Sequence, residues 1–148
     1  MKTGTGTAGI VVGVPSDFPS VPVPHDFEPG SFHRDDYRLK TTGTALYILG
    51  ATPTAVEFAV WDLLHRLGYR YYFPSQRWEI IPKHATVTLT LSEYERPDYI
   101  NRSGPRGGIR HGHRPWIQDP WRHWKTRNRT KSSFALRTGH AYGGIIRH

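Results

Sequence analysis

The pattern of hydrophobic and polar positions is clearest between residues 54 and 74, where it predicts a helix followed by a strand. Apolar side chains recur at a spacing that places them on one face of a helix with 3.6 residues per turn; they are Val56, Ala59, Val60, Leu63, Leu64 and Leu67. Thr54 and Glu57 have the spacing of a capping box, and Gly68 can adopt the left-handed conformation that ends a helix. We therefore predict an amphipathic helix over residues 54–67.

Shorter apolar or alternating runs predict strands on both sides of this helix. The runs are 9–14, 37–40, 45–49, 69–73 and 86–91, and the turn-forming residues 41–44 join the second and third of them into an antiparallel hairpin. Strand 45–49, helix 54–67 and strand 69–73 fit a right-handed β-α-β crossover. Residues 15–35 contain five prolines and read as a long surface loop. The predicted fold class is α+β, a small mixed β-sheet packed by one main amphipathic helix.

Charge divides the chain near Arg96 and Pro97. Residues 1–95 hold eight Lys and Arg against ten Asp and Glu, whereas residues 96–148 hold twelve against two. The second part also carries five of the nine histidines and three of the five tryptophans, and only residues 121–129 have helical composition. It has too few aliphatic side chains for a core of its own, so we predict a folded unit over 1–95 and a basic, loop-rich unit over 96–148.

Composition also excludes several classes of site. Cysteine is absent, so the chain has neither a disulfide framework nor a thiolate metal site or nucleophile. No run approaches the roughly 20 apolar residues that span a bilayer, and the first residues lack the apolar core of a secretory signal. We predict no membrane partner, and the sequence leaves the cellular compartment open.

Several phrases taken together resemble a known domain. They are IVVG at 10–13, YRLKTTGTALYILGA at 37–51, AVEFAVWDLLHRLGYRYYFP at 55–74, Ile81-Pro82 and Pro97-Asp98-Tyr99. In this order they resemble the N-terminal α+β domain that precedes the catalytic barrel in α-glucuronidases, β-hexosaminidases and related glycoside-hydrolase-like proteins. The resemblance covers about residues 9–102. It implies that residues 96–148 are the loop-rich start of a partial β/α barrel, that the intact protein binds carbohydrate, and that such relatives are exported.

The resemblance also implies a set of substrate-binding residues. An arginine at the end of the first barrel strand contacts the sugar in such proteins, and Arg102 is the matching position. A guanidinium group can donate a planar pair of N–H groups to hydroxyls or to a carboxylate. Trp124 could stack on a sugar ring and His140 could hydrogen-bond its hydroxyls. The predicted substrate-binding residues are therefore Arg102, Trp124 and His140.

The catalytic carboxylates of the resembling enzymes have no counterpart in this chain. A complete barrel needs roughly 250 residues, and about 50 follow Pro97. Those residues contain only two acids, Asp98 and Asp119, and the earlier acids lie mostly in predicted loops or on the polar side of the predicted helix. We therefore predict a non-catalytic accessory domain or fragment of a glycoside hydrolase, with no catalytic residue and with a barrel segment missing from the chain.

Three other patterns suggest different chemistry. Residues 4–9 spell G-x-G-x-x-G, but they precede a predicted strand instead of following one, so no dinucleotide cofactor is predicted. His111 and His113, with His123 nearby, lack a further ligand at diagnostic spacing, so no metal site is predicted. The twelve cations after residue 95, interleaved with aromatic residues, would suit a nucleic-acid-binding protein. That function is the alternative, although no known nucleic-acid motif organises these charges.

Overall fold

Two β-sheets and two helices make up the part of the chain that the structure describes. This computed structural model describes residues 6–24, 26–100, 102 and 115–131, with side chains in the last range from residue 120 onward. In chain order the elements are β1 (Gly9–Gly13), β2 (Tyr37–Thr41), β3 (Ala45–Gly50), α1 (Pro53–Arg66), β4 (Arg70–Tyr71), β5 (Glu79–Ile80), β6 (Ser92–Glu95) and α2 (Pro115–Arg127). Short 3-10 turns lie at Pro15–Asp17 and Gln76–Trp78.

The main sheet has four strands in the order β1-β3-β2-β6. β1 runs parallel to β3, with Val11 opposite Tyr47, whereas β2 is antiparallel to both β3 and β6. The predicted hairpin of β2 and β3 is confirmed, and Thr42 closes its turn by donating its backbone N–H to the carbonyl of Ala45. A mixed sheet packed by a helix confirms the α+β class.

The main helix begins and ends almost where predicted, but a different residue caps it. The side chain of Thr52 accepts a hydrogen bond from the backbone N–H of Ala55 at 3.2 Å, and Pro53 occupies the first helical position. Proline suits that position because its missing N–H would have no partner there. The predicted capping box of Thr54 and Glu57 is therefore wrong. The predicted stop is confirmed, because Gly68 has a φ of 95°.

The buried face of α1 is rotated from the predicted stripe. Its buried residues are Ala55, Phe58, Ala59, Asp62 and Leu63. Val56 and Leu64, which belong to the predicted stripe, are only half-buried. The buried face includes two residues outside the predicted stripe, Phe58 and Asp62, and the side chain of Asp62 is held by two arginines. Hydrophobic periodicity places Asp62 on the solvent-facing side of the helix, because the pattern does not show that an ion pair can bury an acid.

Both faces of the main sheet are covered. On one face α1 and β2 enclose a core that contains Tyr37, Leu39, Ile48, Ala55, Phe58, Ala59, Leu63 and Leu91. On the other face the proline-rich loop supplies Val21 and Val23, which pack on Val11, Tyr47 and Leu49. The loop therefore provides the second layer that a half-buried sheet needs.

After α1, a short strand forms within the predicted range 69–73, but the predicted crossover and the predicted strand over 86–91 are wrong. β4 pairs with β5 in a separate two-stranded sheet instead of joining β3, so the predicted β-α-β crossover does not form. Residues 86–91 are not a strand, and β6 begins at Ser92 instead. Val87 is about half exposed, and only Leu91 at the end of the run is buried. Leu91 bonds through its backbone to Thr41 at the end of β2, which sets the register of β6.

The second helix begins six residues before the prediction. The composition of residues 121–129 predicts a helix, and α2 spans Pro115–Arg127 with Pro120 inside it. Asn128 and Arg129 follow, and Arg129 takes a left-handed conformation with a φ of 54°. After this turn, Asn128 contacts β4 at Tyr71 and Arg129 contacts α1 at Asp62.

Candidate functional site

The strongest cluster of charged side chains lies where the chain after residue 95 meets the fold before it. We call residues 6–95 the front unit and residues 96–131 the basic segment. Five cations of the basic segment pair with carboxylates of the front unit at N–O distances of 2.6–3.6 Å: Arg96 with Glu28 and Asp36, Arg102 with Asp35, Arg127 with Glu79, Arg129 with Asp62, and Lys131 with Glu57. Opposite charges therefore join the two parts through five cations.

Arg102, a predicted substrate-binding residue, lies at the centre of this junction. Its Nη2 donates to the Asp35 carboxylate at 2.8 Å and to the Lys131 carbonyl at 3.1 Å. Its Nε donates to the Arg129 carbonyl, and its Nη1 donates to the Tyr99 carbonyl. The guanidinium carbon lies 4.9 Å from the centre of the Phe58 ring. The side chain is 17% exposed, so Arg102 fastens the basic segment to α1 and the proline-rich loop.

A small depression adjoins Arg102. It is lined by Ser31, Phe32, Asp35, Pro97, Tyr99, Ile100 and Arg102, and it holds about 200 Å³ when open solvent is included. Ligand pockets are typically about 300–1,000 Å³ and more enclosed. The depression alone is therefore smaller than a usual small-molecule site.

Asp62 joins α1 to the end of the basic segment. Its two carboxylate oxygens accept from Arg129 at 2.7 Å and from Arg66 at 2.9 Å. Arg129 also donates to the hydroxyl of Tyr37 at 2.6 Å. Burial raises the pKa of Tyr37, so its phenol stays protonated beside these charges. The ion pair and the hydroxyl contact hold Arg129 in its left-handed backbone conformation, which a non-glycine residue adopts at a cost.

A second buried carboxylate, Asp36, holds the start of the basic segment. Its Oδ2 accepts from the Tyr94 hydroxyl at 2.7 Å and from Arg96 at 3.1 Å, and it lies 3.2 Å from the His33 ring. Burial, followed by the hydrogen bond to Asp36, raises the pKa of Tyr94. The opposite ring nitrogen of His33 lies 3.1 Å from Glu28. These contacts tie the proline-rich loop to β6.

Trp124, the second predicted substrate-binding residue, docks α2 on the residue that follows β4. Its indole N–H donates to the carbonyl of Tyr72 at 2.9 Å, and its ring meets Trp121 edge-on at a centroid distance of 5.7 Å. Asn128 makes a parallel contact, because its amide donates to the carbonyl of Tyr71 at 2.8 Å. The indole N–H is thus used within the chain.

The remaining predicted chemistry falls partly outside the described residues. His140, the third predicted substrate-binding residue, lies there, as do His111 and His113. His123 is exposed on α2. Within the described ranges, no group of three His, Asp or Glu side chains is placed to hold a metal ion. Neither of the helices described here has the length and apolar character needed to cross a bilayer.

The comparisons with known proteins find no relative. No protein-family model matches the sequence, no curated protein matches it, and no solved structure matches its fold.

The buried acids are the residues that the sequence analysis missed. Asp35, Asp36 and Asp62 are each less than a tenth exposed, and each accepts a hydrogen bond from an arginine. The signal was present in the acidic excess before residue 95 and the basic excess after it. That asymmetry indicates two kinds of attraction. The second part attracts anions in general, and it also attracts the acidic first part of the same chain.

Proposed function

We propose that this chain is a non-catalytic accessory domain of a glycoside-hydrolase-like protein, in which the front unit holds the basic segment that begins a catalytic barrel. The observation that carries the proposal is the set of six cation–carboxylate pairs that five cations of the basic segment make with the front unit. A surface that fastens the next segment of the chain at this many points is suited to supporting an adjoining domain. The family itself is proposed from the resemblance of residues 9–102.

The placement of the acids supports a structural role over a catalytic one. Glycoside hydrolysis needs two carboxyl groups about 5–10 Å apart across the scissile bond, one of them able to give a proton. The three buried carboxylates of the front unit are each bound to an arginine, which suits them to holding the fold together. The acid–base pair would then come from polypeptide other than these 148 residues.

The same pairs favour this proposal over nucleic-acid binding. The structure describes the side chains of seven Lys and Arg in the basic segment, and five of them pair with carboxylates of the front unit. A phosphate backbone would have to displace those carboxylates before it could gain the same cations.

Two measurements test the proposal. Purified protein should release no product from aryl glycosides or aryl glucuronides above a heat-killed control, and turnover above that control would overturn the non-catalytic role. The DNA that follows the codon for His148 should continue the reading frame and encode a barrel with paired acids. A following frame without such acids would overturn the glycoside-hydrolase assignment and leave the description of the fold unchanged.

A further inference from the structure

Two aromatic rings, a tyrosine hydroxyl and a carboxylate surround the guanidinium group of Arg127. The guanidinium carbon lies 4.6 Å from the centre of the Tyr71 ring and 5.6 Å from that of Trp61. Its Nη1 donates to Glu79 at 2.6 Å and to the Tyr69 hydroxyl at 2.8 Å. We call Trp61, Tyr69, Tyr71 and Glu79 the aromatic cage.

The cage is built by contacts that do not involve Arg127. The Tyr69 hydroxyl donates to Glu79 at 2.8 Å, and the Trp61 and Tyr69 rings lie 5.6 Å apart. Tyr71 and Glu79 are direct partners across the β4–β5 pair. Burial and the hydrogen bond to Glu79 raise the pKa of Tyr69 to about 12, so its hydroxyl remains a donor to that carboxylate. All four side chains come from residues 61–79, whereas Arg127 arrives from a distant helix.

The chemistry of the cage suits a guanidinium group better than an ammonium group. A planar, weakly hydrated cation can stack on an aromatic face while one edge donates to a carboxylate. An ammonium group is a compact, strongly hydrated charge and loses more hydration on entering the same space.

We propose that Trp61, Tyr69, Tyr71 and Glu79 form a binding site for the guanidinium group of an arginine side chain, with Arg127 as its occupant within this chain. When the Arg127 side chain is absent, the same four side chains bind an alkylguanidinium ion from solution. The proposal does not depend on the carbohydrate assignment, because it concerns a cation site made by the front unit.

The test empties the cage in the full chain and offers it a free guanidinium. Arg127→Ala is titrated with n-propylguanidinium by calorimetry and thermal unfolding, with n-propylammonium and sodium chloride at equal ionic strength as controls. We expect a Kd on the order of 1 mM for n-propylguanidinium. At about ten times that concentration the unfolding temperature of R127A should rise by about 3 °C. Binding to n-propylammonium should be at least about tenfold weaker.

Two further variants make the result specific to the cage. R127A combined with Glu79→Gln should lose the response to n-propylguanidinium, whereas R127A combined with the exposed Arg77→Ala should keep it. If R127A does not fold alone, recovery of its circular dichroism with n-propylguanidinium but not with n-propylammonium supports the site. Equal responses to both cations, or no response from R127A, would overturn the proposal, and neither result bears on glycoside turnover.

Discussion

Arg102 illustrates how one side chain can join three separate parts of this fold. Its four hydrogen bonds reach the proline-rich loop, the residues after β6 and the residues after α2, while its plane lies over Phe58 on α1. Three of the four acceptors are backbone carbonyls, which a shorter or unforked cation cannot reach together. We conclude that the guanidinium geometry matters here as much as the positive charge.

Removing Arg102 should destabilise the whole chain. Arg102→Ala leaves the buried Asp35 without its arginine, and we expect the free energy of unfolding to fall by about 3 kcal/mol. Arg102→Lys should recover less than about half of that loss, because an ammonium group cannot form the fork. Urea denaturation measures both effects, with the exposed Arg77→Ala as a control that changes stability by less than about 0.5 kcal/mol.

A double-mutant cycle separates the ion pair from the other contacts of Arg102. We expect a coupling energy between Arg102→Ala and Asp35→Ala on the order of 2 kcal/mol. Simple additivity of the two substitutions would show that the Arg102–Asp35 pair does not contribute to stability.

His65 makes stability depend on pH. Its ring stacks parallel to Tyr69, and its buried Nε2 has no hydrogen-bond partner among the residues that the structure describes. Burial, followed by the charges of Arg129 and Arg70, lowers the pKa of His65, and the charge of Asp62 only partly opposes this. The folded protein therefore holds the neutral imidazole at pH values where the unfolded chain is protonated.

The sign of this pH effect follows from proton linkage. As the pH falls below about 6.5, the unfolded chain binds a proton that the folded chain does not, so the free energy of unfolding falls. The loss levels off once the pH is below the folded pKa. We expect His65→Gln to reduce the stability difference between about pH 7.5 and pH 5.5, measured by urea denaturation, and the exposed His123→Gln to leave it unchanged. Equal pH dependence in H65Q and the wild type would contradict this role.

At the scale of elements, the sequence predicts the features of the fold that depend on residues close together in the chain. The β2–β3 hairpin and the stop at Gly68 depend on turn residues and on one left-handed glycine, and both are confirmed. The buried face of α1 depends on Asp62, whose arginine partner Arg129 lies 67 residues away, and no local periodicity reports such a pair. The partner of β4 depends likewise on tertiary packing, because a two-residue strand carries almost no pattern.

The junction between β3 and α1 depends on a close approach at Gly50. A Cβ atom there would overlap the backbone nitrogen of Val56 and lie 2.7 Å from the carbonyl carbon of Ala55. We expect Gly50→Ala to lower the free energy of unfolding by about 2 kcal/mol or more, because backbone atoms cannot move aside as a flexible side chain can. Gly43→Ala is the matched control in urea denaturation, since a Cβ there meets nothing within 4 Å. Similar stabilities of G50A and G43A would show that the junction relaxes easily.

At the scale of the molecule, the chain consists of an acidic part and a basic part, and the two parts attract each other. The acidic excess before residue 95 and the basic excess after it were visible in the sequence. The sequence does not show which acid pairs with which cation, because the partners of every pair are about 50 residues or more apart in the chain. Asp35 and Arg102, for example, are 67 residues apart. The sequence therefore predicts that the two parts attract each other, but it does not predict which residues of the candidate site are in contact.

This pairing predicts how the chain responds to a polyanion. We expect weak binding of a labelled single-stranded oligothymidine of about 20 nucleotides, measured by fluorescence anisotropy between about 20 and 200 mM KCl. Glu57→Gln combined with Glu79→Gln frees Lys131 and Arg127 from their carboxylates. Affinity should then rise at low salt, and the slope of log K against log salt should steepen by about 0.7 per freed cation.

The matched control changes the net charge equally without releasing a cation. Asp26 and Asp98 are exposed acids that form no ion pair with the cations described by the structure, so Asp26→Asn combined with Asp98→Asn should raise affinity less and leave the slope nearly unchanged. If both double variants steepen the slope equally, net charge and not release of paired cations controls binding. If the wild type already binds with the steep slope of a protein that contacts many phosphates, the ion pairs do not withhold these cations, and the nucleic-acid function becomes the stronger one.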